Sequence, residues 1–545
     1  MFWKRATALA LCAALLLTLA GCKSGGAKNA DKTINYHLSA EPETLDPQVA
    51  SDTPSIIAIQ ALFEGLTRLD ADGKAVPGAA EKWTSAENGT RFTFTLRSDA
   101  SWSDKKAVTS SDFVFAFRRA LDPKTGSSTC TQMYCIKNAR KVHAGELPVS
   151  QLGVTAPDSR TLVVRMEYPT PDFATLAASP VFMPCNENFF DQAAGRYGLE
   201  IKYLLGNGPF MIDGAYGWDH GKYLNLRRSS TYHGRQVPLP AAVVFSIGST
   251  TTDLSNPVAA LAGETVDAAP VTYAQAGAAR SAGCTLASVQ DTTWGLCFNT
   301  KSALFKNLNM RRAFLQAFDR KKVLSHLPED ISAAENIVLP GTSLNGENYR
   351  SLAGGPFYPK QDADAAQTLA AGLSGLGLSK ASAAAAALSS ITVLCPDDAN
   401  VKLMVNEMIA AWNAKFHSYF NMNPVSESDL LSAVQSGNYD LAVYPLKPAA
   451  DGPFFPLYQF CTGVSGNPAR WSDASYDALV ASAQSKSGKD AAASYAAAEK
   501  ILNEQAVFYP LCYGKSYFAL AKGVTGIVFR PYQGGVDFIN AGKAG

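Results

Sequence analysis

An apolar run at the N-terminus constrains this chain most, because it decides in which compartment the rest must fold. Lys4 and Arg5 precede residues 6–19, which are almost all Ala and Leu. The run is shorter than the roughly 20 residues of a permanent membrane-spanning helix. Its basic start and small-residue end are typical of a secretory signal peptide. Residues 1–21 are therefore predicted to be a signal peptide, and the remainder to fold outside the cytoplasm.

A cysteine follows that run after two small residues. The segment LAGC, which ends at Cys22, resembles the lipobox of bacterial lipoproteins, in which the cysteine sulfur receives a diacylglyceryl group and becomes residue one after cleavage. The resemblance implies that Cys22 is lipidated; the alternative is an ordinary export signal with an incidental cysteine. Residues 22–33 continue as a Gly-, Ser- and Lys-rich flexible tether. No later segment offers about 18 uncharged apolar residues, so we expect lipid anchoring to the outer face of the bacterial cytoplasmic membrane, at the cell surface or in the periplasm.

The composition excludes several classes of partner. The chain has 545 residues, of which 47 % are hydrophobic and 17 % charged, enough apolar material for several packed domains. Its 48 Lys and Arg residues balance 47 Asp and Glu residues, which leaves a formal net charge of +1. No overall field would attract nucleic acid. We therefore predict no nucleic-acid partner and expect a monomer.

Cysteine usage leaves two possibilities open. Apart from Cys22 and one cysteine in the signal peptide, eight of the ten cysteines remain in an exported chain, and this even number permits disulfides. Cys130 with Cys135, and Cys284 with Cys297, are candidate pairs. The alternative is that most are buried thiols that act as small hydrophobic residues.

The hydrophobic patterning is of a mixed α/β kind, without a long internal repeat. Alternation predicts strands over residues 91–97 and 161–166. Helical spacing predicts helices over 109–121, 311–324 and 401–420, and a Gly-interrupted, Ala-rich stretch predicts two short helices over 363–388. The helix at 401–420 has one apolar stripe, which we interpret as core: Val401, Val405, Met408, Trp412, Phe416 and Tyr419.

Motifs of enzymes and metal sites are nearly absent. HExxH, GxSxG, P-loop and GxGxxG motifs do not occur, the six histidines are isolated, and no Cys/His spacing suits zinc. Ser103 and Lys106 match SxxK, and Lys124 begins a KTG, which leaves a cell-wall serine enzyme as a remote alternative. However, Pro123 makes the second match a turn. We predict no catalysis, no metal and no cofactor.

A series of short motifs, in a fixed order from about residue 34 to the C-terminus, carries a family resemblance. The motifs are EPETLDP at 41–47, LFEGL at 62–66, PGAAEKW at 77–83, FTFTLR at 92–97, RALDP at 119–123, NGP at 207–209, FNT at 298–300 and YDLA at 439–442. Together they resemble the extracellular solute-binding protein family 5, the oligopeptide-, dipeptide- and nickel-binding lipoproteins of ABC importers.

The resemblance implies an α/β fold of the two-lobed periplasmic-binding-protein type (type II, class C), with hinge strands and an extra third domain. It places lobe I, which is discontinuous, at residues 34–68, 202–289 and 516–545. The third domain would occupy 69–201 and lobe II 290–515.

The resemblance also implies where a ligand lies. Peptide-binding relatives hold an extended peptide as an added strand, and the matching stretches here are 292–299 and 441–448. The implied binding residues are Trp294, Gly295, Leu296, Cys297, Phe298, Tyr444, Leu446, Asp451 and Ser55. Trp294 and Tyr444 would be flat pocket walls, unless they are core aromatics.

Two departures from the pattern of the peptide-binding relatives affect the binding site that the resemblance implies. An ungapped alignment puts Ala449 where peptide binders keep the aspartate that holds the ligand's α-amine, and Asp451 lies two residues later. Ser55 stands where one peptide binder has an acidic rim residue. Pro445 and Pro448 remove two N–H donors from the expected peptide-holding strand.

The function implied is substrate capture for an ABC importer, with delivery of oligopeptides to the membrane permease. Relatives on the same fold serve dipeptides, oligosaccharides, haem or metal chelates, and a peptide-pheromone receptor is a further alternative. Metal capture is disfavoured because neither candidate strand contains a histidine.

Overall fold

The computed structural model describes residues 32–247, 256–328, 331–358, 364–532 and 535–544. The predicted signal peptide, Cys22 and nearly all of the tether lie outside the described residues. Within the part of the chain that is described, no helix is long and apolar enough to cross a membrane.

Strands and helices are interspersed along the described chain, with several runs of consecutive strands. The strands of the first half are β1 (Thr33–Leu38), β2 (Thr67–Leu69), β3 (Ala75–Pro77), β4 (Ala80–Ala86), β5 (Arg91–Leu96), β6 (Val154–Thr155), β7 (Thr161–Arg165), β8 (Phe210–Ile212), β9 (Trp218–Asp219), β10 (Tyr223–Arg228), β11 (Ala242–Ile247), β12 (Ala268–Val271) and β13 (Thr285–Phe298). Those of the second half are β14 (Ser332–Ala333), β15 (Ser343–Leu344), β16 (Glu347–Asn348), β17 (Thr392–Pro396), β18 (Asn421–Val425), β19 (Leu441–Leu446), β20 (Phe508–Leu520), β21 (Val524–Thr525), β22 (Val528–Phe529), β23 (Val536–Asp537) and β24 (Gly542–Lys543).

The helices are α1 (Thr53–Leu62), α2 (Ser110–Leu121), α3 (Ala139–His143), α4 (Phe173–Leu176), α5 (Glu187–Ala193), α6 (Pro257–Ala262), α7 (Tyr273–Ser281), α8 (Leu308–Gln316), α9 (Arg320–Leu324), α10 (Tyr349–Ala353), α11 (Ala365–Gly375), α12 (Ala381–Ser389), α13 (Ala399–Phe416), α14 (Glu427–Ser436), α15 (Phe454–Tyr458), α16 (Ala474–Gln484) and α17 (Gly488–Glu504).

One large sheet organises the molecule. Its strand order is β18-β17-β19-β13-β20-β12-β1-β11-β10-β8, with β14 on β20 and β9 on β10. The long strands β13 and β20 pair with each other along nearly their whole length, and they join the two ends of the sheet. A separate four-stranded sheet, β4-β5-β7-β6, lies within the residues predicted to form the third domain.

Two large hydrophobic cores, beside one small cluster, show that the α/β fold is two-lobed. One core gathers buried residues from 34–284 and 519–541, and it includes the third domain. The other gathers buried residues from 296–512. The fold class predicted from the sequence is therefore confirmed, whereas the exact domain boundaries, with the third domain at 69–201, stay a prediction.

Local sequence chemistry explains several elements. Helix α2 begins where the Thr109 N–H donates to Oδ2 of Asp112 at 2.8 Å, which is half of a capping box. Strand β5 alternates as predicted, with Phe92 and Phe94 buried. Helix α13 begins at the Asp398 cap, whose Oδ1 accepts from two backbone N–H groups at 2.9 and 3.0 Å.

Two helix predictions need correction. The helix predicted over 401–420 ends at Phe416, because His417 takes a left-handed conformation. Tyr419 therefore leaves the core stripe and is 84 % exposed, while the other five residues of the stripe are buried. The helix predicted over 311–324 is two helices, α8 and α9, and Asp319 caps the second. The two short helices predicted in the Ala-rich stretch are α11 and α12.

The disulfide possibility is wrong for the eight cysteines that the structure describes, all of which are buried free thiols. Cys297 lies on β13 and Cys284 directly precedes that same strand. At about 3.3 Å per residue, an extended strand holds two such residues far beyond bonding distance. The alternative reading of the cysteines, as small buried hydrophobic groups, is the one observed.

Candidate functional site

The two lobes meet at an irregularity in the β13–β20 ladder. The register shifts between Gln290 and Thr292, so Asp291 is an extra residue between the lobe I part and the lobe II part of the pair. Burial raises the pKa of Asp291, and its carboxylate accepts hydrogen bonds from Ser516 Oγ at 2.5 Å and Thr292 Oγ1 at 2.8 Å. The strands thus have a bulge at the point where they cross from one lobe to the other.

A cleft beside this crossing point consists of two connected cavities. The large chamber, about 850 Å³, lies between segments of the third domain within 69–75, 131–135 and 168–180, segments of lobe II within 339–346, 449–455 and 483–495, and residues 529–532. The hinge chamber, about 690 Å³, lies along β13 and β20 and extends to lobe I. Ala449, Arg530 and Pro531 line both chambers, so the two adjoin at these residues.

Asp451 lines the large chamber on the loop that follows β19. Its Oδ1 accepts from the Ser343 N–H at 3.0 Å and from Tyr532 Oη at 2.9 Å. Burial, together with the nearby charge of Asp172, raises the pKa of Asp451. Among the described residues, no Lys, Arg or His forms an ion pair with this carboxylate.

Trp294 lies on β13 at the wall of the cleft, whereas the next residue, Gly295, lines neither chamber. Trp294 is half-buried and lines the hinge chamber. Gly295 faces the other way: a Cβ there would lie 2.3 Å from Cζ of Phe508 and 2.9 Å from the carbonyl oxygen of Tyr509. The close approach of β20 therefore requires glycine at this position.

The structure does not bring the other strand residues predicted for the site to either chamber. Leu296, Cys297 and Phe298 are fully buried in the core of lobe II, and Tyr444 and Leu446 belong to the same core. Strand β13 is central here, since β19 pairs with one edge and β20 with the other. No edge of β13 between residues 293 and 297 is open to an added ligand strand.

Ser55 is also internal. It is fully buried in the first turn of α1, and its Oγ accepts from the Thr44 N–H at 3.2 Å. Its neighbours Thr53 and Pro54 line the hinge chamber, but Ser55 does not.

Three cleft residues were missed by sequence reasoning. Arg530 sits at the junction of the chambers, where its Nη2 donates to the carbonyl oxygen of Leu69 at 2.8 Å. Gln132 and Asp172 of the third domain line the large chamber. No local pattern marks these residues, because their common surroundings arise only when three distant chain segments meet.

Direct contacts between the third domain and lobe II close one side of the large chamber. Nη2 of Arg140 donates to Oε1 of Gln484 at 2.8 Å, and Nε2 of Gln484 donates to Tyr168 Oη at 2.6 Å. The Arg140 guanidinium also lies 4.6 Å from the ring centre of Tyr134 and 5.1 Å from that of Tyr458. The described residues contain no group of three or more His, Cys, Asp or Glu side chains that could hold a metal ion.

Two lobes, a bulged strand crossing and a cleft beside it are the features of a two-lobed binding protein, which holds a solute between its lobes. Residues 74–468 match the family described as bacterial extracellular solute-binding proteins, family 5. The chain belongs to this family, which makes it a solute-binding component of transport outside the cytoplasm and not an enzyme. The family resemblance predicted from the sequence is thereby confirmed.

Individual relatives cover most of the chain. The chain is similar to the dipeptide-binding protein DppE of Bacillus subtilis (25 % identity over 92 % of this chain and 90 % of that protein) and to the oligopeptide-binding protein OppA of the same organism (28 % identity over 70 % of each). The crystal structure of the substrate-binding domain of an oligopeptide ABC transporter from Bacillus anthracis superimposes with a TM-score of 0.79 at 26 % identity, over 95 % of this chain and 100 % of that one.

Proposed function

We propose that this protein captures peptides in the cleft between its lobes and delivers them to the membrane permease of an ABC transporter. The observation that carries the proposal is Asp451, a partly buried ionisable group in the wall of the large chamber without a basic partner among the described residues. Relatives named for dipeptide and oligopeptide binding support the substrate class. The chamber, about 850 Å³, is within the usual size range of small-ligand sites.

The role of Asp451 is to hold the α-ammonium group of the peptide. A carboxylate in a cleft that excludes water is costly unless a cation accompanies it. The Ser343 N–H and Tyr532 Oη fix the orientation of Asp451, so little ordering is needed when the ligand arrives. A charge-assisted hydrogen bond of this kind contributes about 1.5–3 kcal/mol.

Closure of the cleft around a bound peptide follows from the same arrangement of residues. A peptide that touches the third domain and lobe II at once stabilises the arrangement in which Arg140 and Gln484 are bonded. Ligand at about 100 times its dissociation constant would add about 2.7 kcal/mol to the free energy of unfolding.

Membrane attachment completes the proposed function. Cys22 would carry the lipid anchor, and residues 22–33 would tether a monomeric binding protein beside its permease. The anchor would keep the captured peptide close to the transporter, which raises its effective concentration there.

Isothermal calorimetry with trialanine and N-acetyl-trialanine tests the amine site on the wild type, on Asp451→Asn and on Asp72→Asn. Asp72 is the matched control, because it lines the same chamber but is exposed. We expect the wild type and Asp72→Asn to prefer the free amine about tenfold to a hundredfold, and Asp451→Asn to lose that preference.

Equal affinity of the wild type for both peptides would show that no anionic amine site exists. A preference that survives in Asp451→Asn would assign the amine to another carboxylate. If no peptide binds, the proposed substrate class is wrong, and mass spectrometry of solutes that copurify with the protein would identify the class that the cleft takes.

A further inference from the structure

Arg530 lies where three cavities of the cleft adjoin. It lines the large chamber, the hinge chamber and a side recess of about 50 Å³. The side recess is bounded by residues within 60–69 and by Ala178, Met183, Arg530 and Asp537. A water molecule in the bulk liquid occupies about 30 Å³, so the recess has room for a group as small as a carboxyl.

The Arg530 guanidinium has N–H groups that the protein does not use. Of its five donors, those on Nη2 face the carbonyl oxygens of Leu69 and Asp70 at 2.8 and 3.4 Å and the Asp537 carboxylate at 3.5 Å. Nε is sealed from solvent without a partner, whereas Nη1 is not sealed and makes no hydrogen bond to the described residues. Nη1 is therefore an accessible pair of donors, held in place by the bonds of Nη2.

The neighbouring charges leave Arg530 with only a shared counter-ion. Asp537 lies nearer to Arg68, whose Nη2 is 3.0 Å from the same carboxylate oxygen. One carboxylate thus serves two guanidinium groups. Glu64, the other carboxylate of the side recess, pairs with Nη2 of Arg97 at 3.0 Å. A partly buried cation whose only counter-ion is shared is stabilised when a further anion arrives.

Gln60 of α1 places a side-chain amide beside this guanidinium. It lines the large chamber and the side recess, as Arg530 does. The amide packs against Gly535, where an added Cβ would lie 3.0 Å from both Oε1 and Nε2, and the Gly535 carbonyl oxygen accepts the backbone N–H of Arg530 at 2.8 Å. The Gln60 amide is not sealed and has no hydrogen-bond partner in the described ranges. A guanidinium with an amide N–H next to it is a donor set suited to a carboxylate.

We propose that Arg530 and Gln60 form a carboxylate subsite of the cleft, which makes the protein favour peptides that carry a carboxylate at this point. That carboxylate is either the C-terminal group of a short peptide or an acidic side chain of a peptide that passes Arg530, which lines both chambers. The inference rests on the proposed function, since it names the kind of peptide that the cleft prefers.

The position of Arg530 in the chain couples this subsite to the proposed amine site. Tyr532, whose Oη donates to Asp451 at 2.9 Å, is two residues further on, so the α-carbons of Arg530 and Tyr532 are at most about 7 Å apart. One short segment therefore presents the guanidinium and orients the carboxylate that takes the ammonium group. A peptide with both charges would engage both ends of this segment.

Two pairs of tripeptides test the subsite on the full chain by calorimetry. Trialanine and trialanine amide differ in the C-terminal charge, and Ala-Glu-Ala amide and Ala-Gln-Ala amide differ in the side-chain charge. We expect the wild type to prefer the carboxylate about tenfold in at least one pair, and that pair identifies the source of the carboxylate. Arg530→Gln should reduce the preference below about threefold without weakening the neutral peptide. Lys74→Gln, at an exposed cation of the same chamber, should keep it.

Gln60→Leu decides the matter even if Arg530→Gln fails to fold. Because the Gln60 amide has no partner in the described part of the chain, its loss should leave the melting temperature of the ligand-free protein unchanged. The same substitution should lower the carboxylate preference about twofold to fivefold.

Three results would overturn the inference: equal affinity of the wild type for both members of each pair, a full carboxylate preference in folded Arg530→Gln or Gln60→Leu protein, or a preference that Lys74→Gln abolishes. In each of these cases peptide capture itself would stand, because the peptides still bind. Failure of all four tripeptides to bind would instead overturn the proposed function.

Discussion

Arg140 of the third domain and Gln484 of lobe II are joined by a 2.8 Å hydrogen bond, and the guanidinium also stacks between aromatic rings of both parts, Tyr134 and Tyr458. These contacts cross the cleft at one side of the large chamber. They stabilise the closed arrangement without touching the Asp451 carboxylate.

Arg140→Ala should therefore speed ligand release. Loss of the hydrogen bond and the cation–π contacts removes about 1–2 kcal/mol from the closed form, which corresponds to a dissociation rate about fivefold to thirtyfold higher. Stopped-flow fluorescence with a displacing peptide measures this rate. Arg196→Ala is the control, because Arg196 stacks 4.1 Å from the ring centre of Tyr203 away from the cleft; equal release rates for both variants would contradict the closing role of Arg140.

Gly295→Ala should destabilise lobe II. The added methyl group would meet the Phe508 ring and the Tyr509 carbonyl, and overpacking of this kind costs about 1–3 kcal/mol. Gly277→Ala is the matched substitution, since a Cβ there meets nothing within 4 Å on the exposed side of α7. It should stabilise by about 0.5–1 kcal/mol. Urea unfolding compares the two; a Gly295→Ala protein as stable as the wild type would show that β20 can move away.

Peptide affinity should fall as the pH decreases through the raised pKa of Asp451. Burial, with the charge of Asp172, places that pKa above the ordinary aspartate range, and a protonated carboxyl cannot pair with an ammonium group. The stability of the ligand-free protein depends on pH in the opposite sense. The folded state binds this proton more tightly than the unfolded state does, so the ionised carboxylate destabilises the fold, and this destabilisation disappears as the pH falls. Calorimetry between pH 7 and 4 measures the affinity for trialanine.

Two variants check the assignment of that pH dependence. The affinity of Asp451→Asn for trialanine should be low at every pH and should not decrease further as the pH is lowered. Asp172→Asn should move the fall to lower pH, because it removes the neighbouring negative charge that helps to raise the pKa of Asp451. An unchanged midpoint in Asp172→Asn would show that the two carboxylates are not coupled.

Cys22→Ser should release the protein from membranes or leave an uncut precursor, because serine cannot accept the thioether-linked lipid. Cell fractionation with immunoblotting measures both outcomes. Cys284→Ser, at a buried thiol, controls for the loss of any cysteine. A Cys22→Ser protein of mature size in the membrane fraction would show that lipidation at this residue does not provide the anchor.

The sequence predicts those parts of the fold whose causes lie within a few residues of each other. The pairing of Thr109 with Asp112 starts α2, and the alternation in β5 follows directly from a strand with one buried face. Tyr419 was misplaced because the left-handed turn at His417 leaves no clear mark in a stripe of apolar residues. The two-lobed arrangement was predicted from the family motifs and not from the spacing of hydrophobic residues.

The candidate site was predicted only in part, for a physical reason. The apolar run from Leu296 to Phe298 is typical of a strand buried on both faces, and such a run has the same pattern whether it lies beside a ligand or between two strands. Asp451 is in the cleft wall, but Gln132 and Asp172 belong to it only because the third domain folds against lobe II. No spacing of residues in the sequence indicates that the third domain packs against lobe II.

The free thiols have a consequence for how this protein survives outside the cytoplasm. Burial raises the pKa of Cys130 to about 11 and that of Cys135, Cys297 and Cys512 to about 12, so almost no reactive thiolate is present in the native state. An unfolded copy would expose the same groups to oxidants and to one another. Burial in the native fold, and not a covalent cross-link, therefore protects the described cysteines, and no thiol oxidase is needed to pair them.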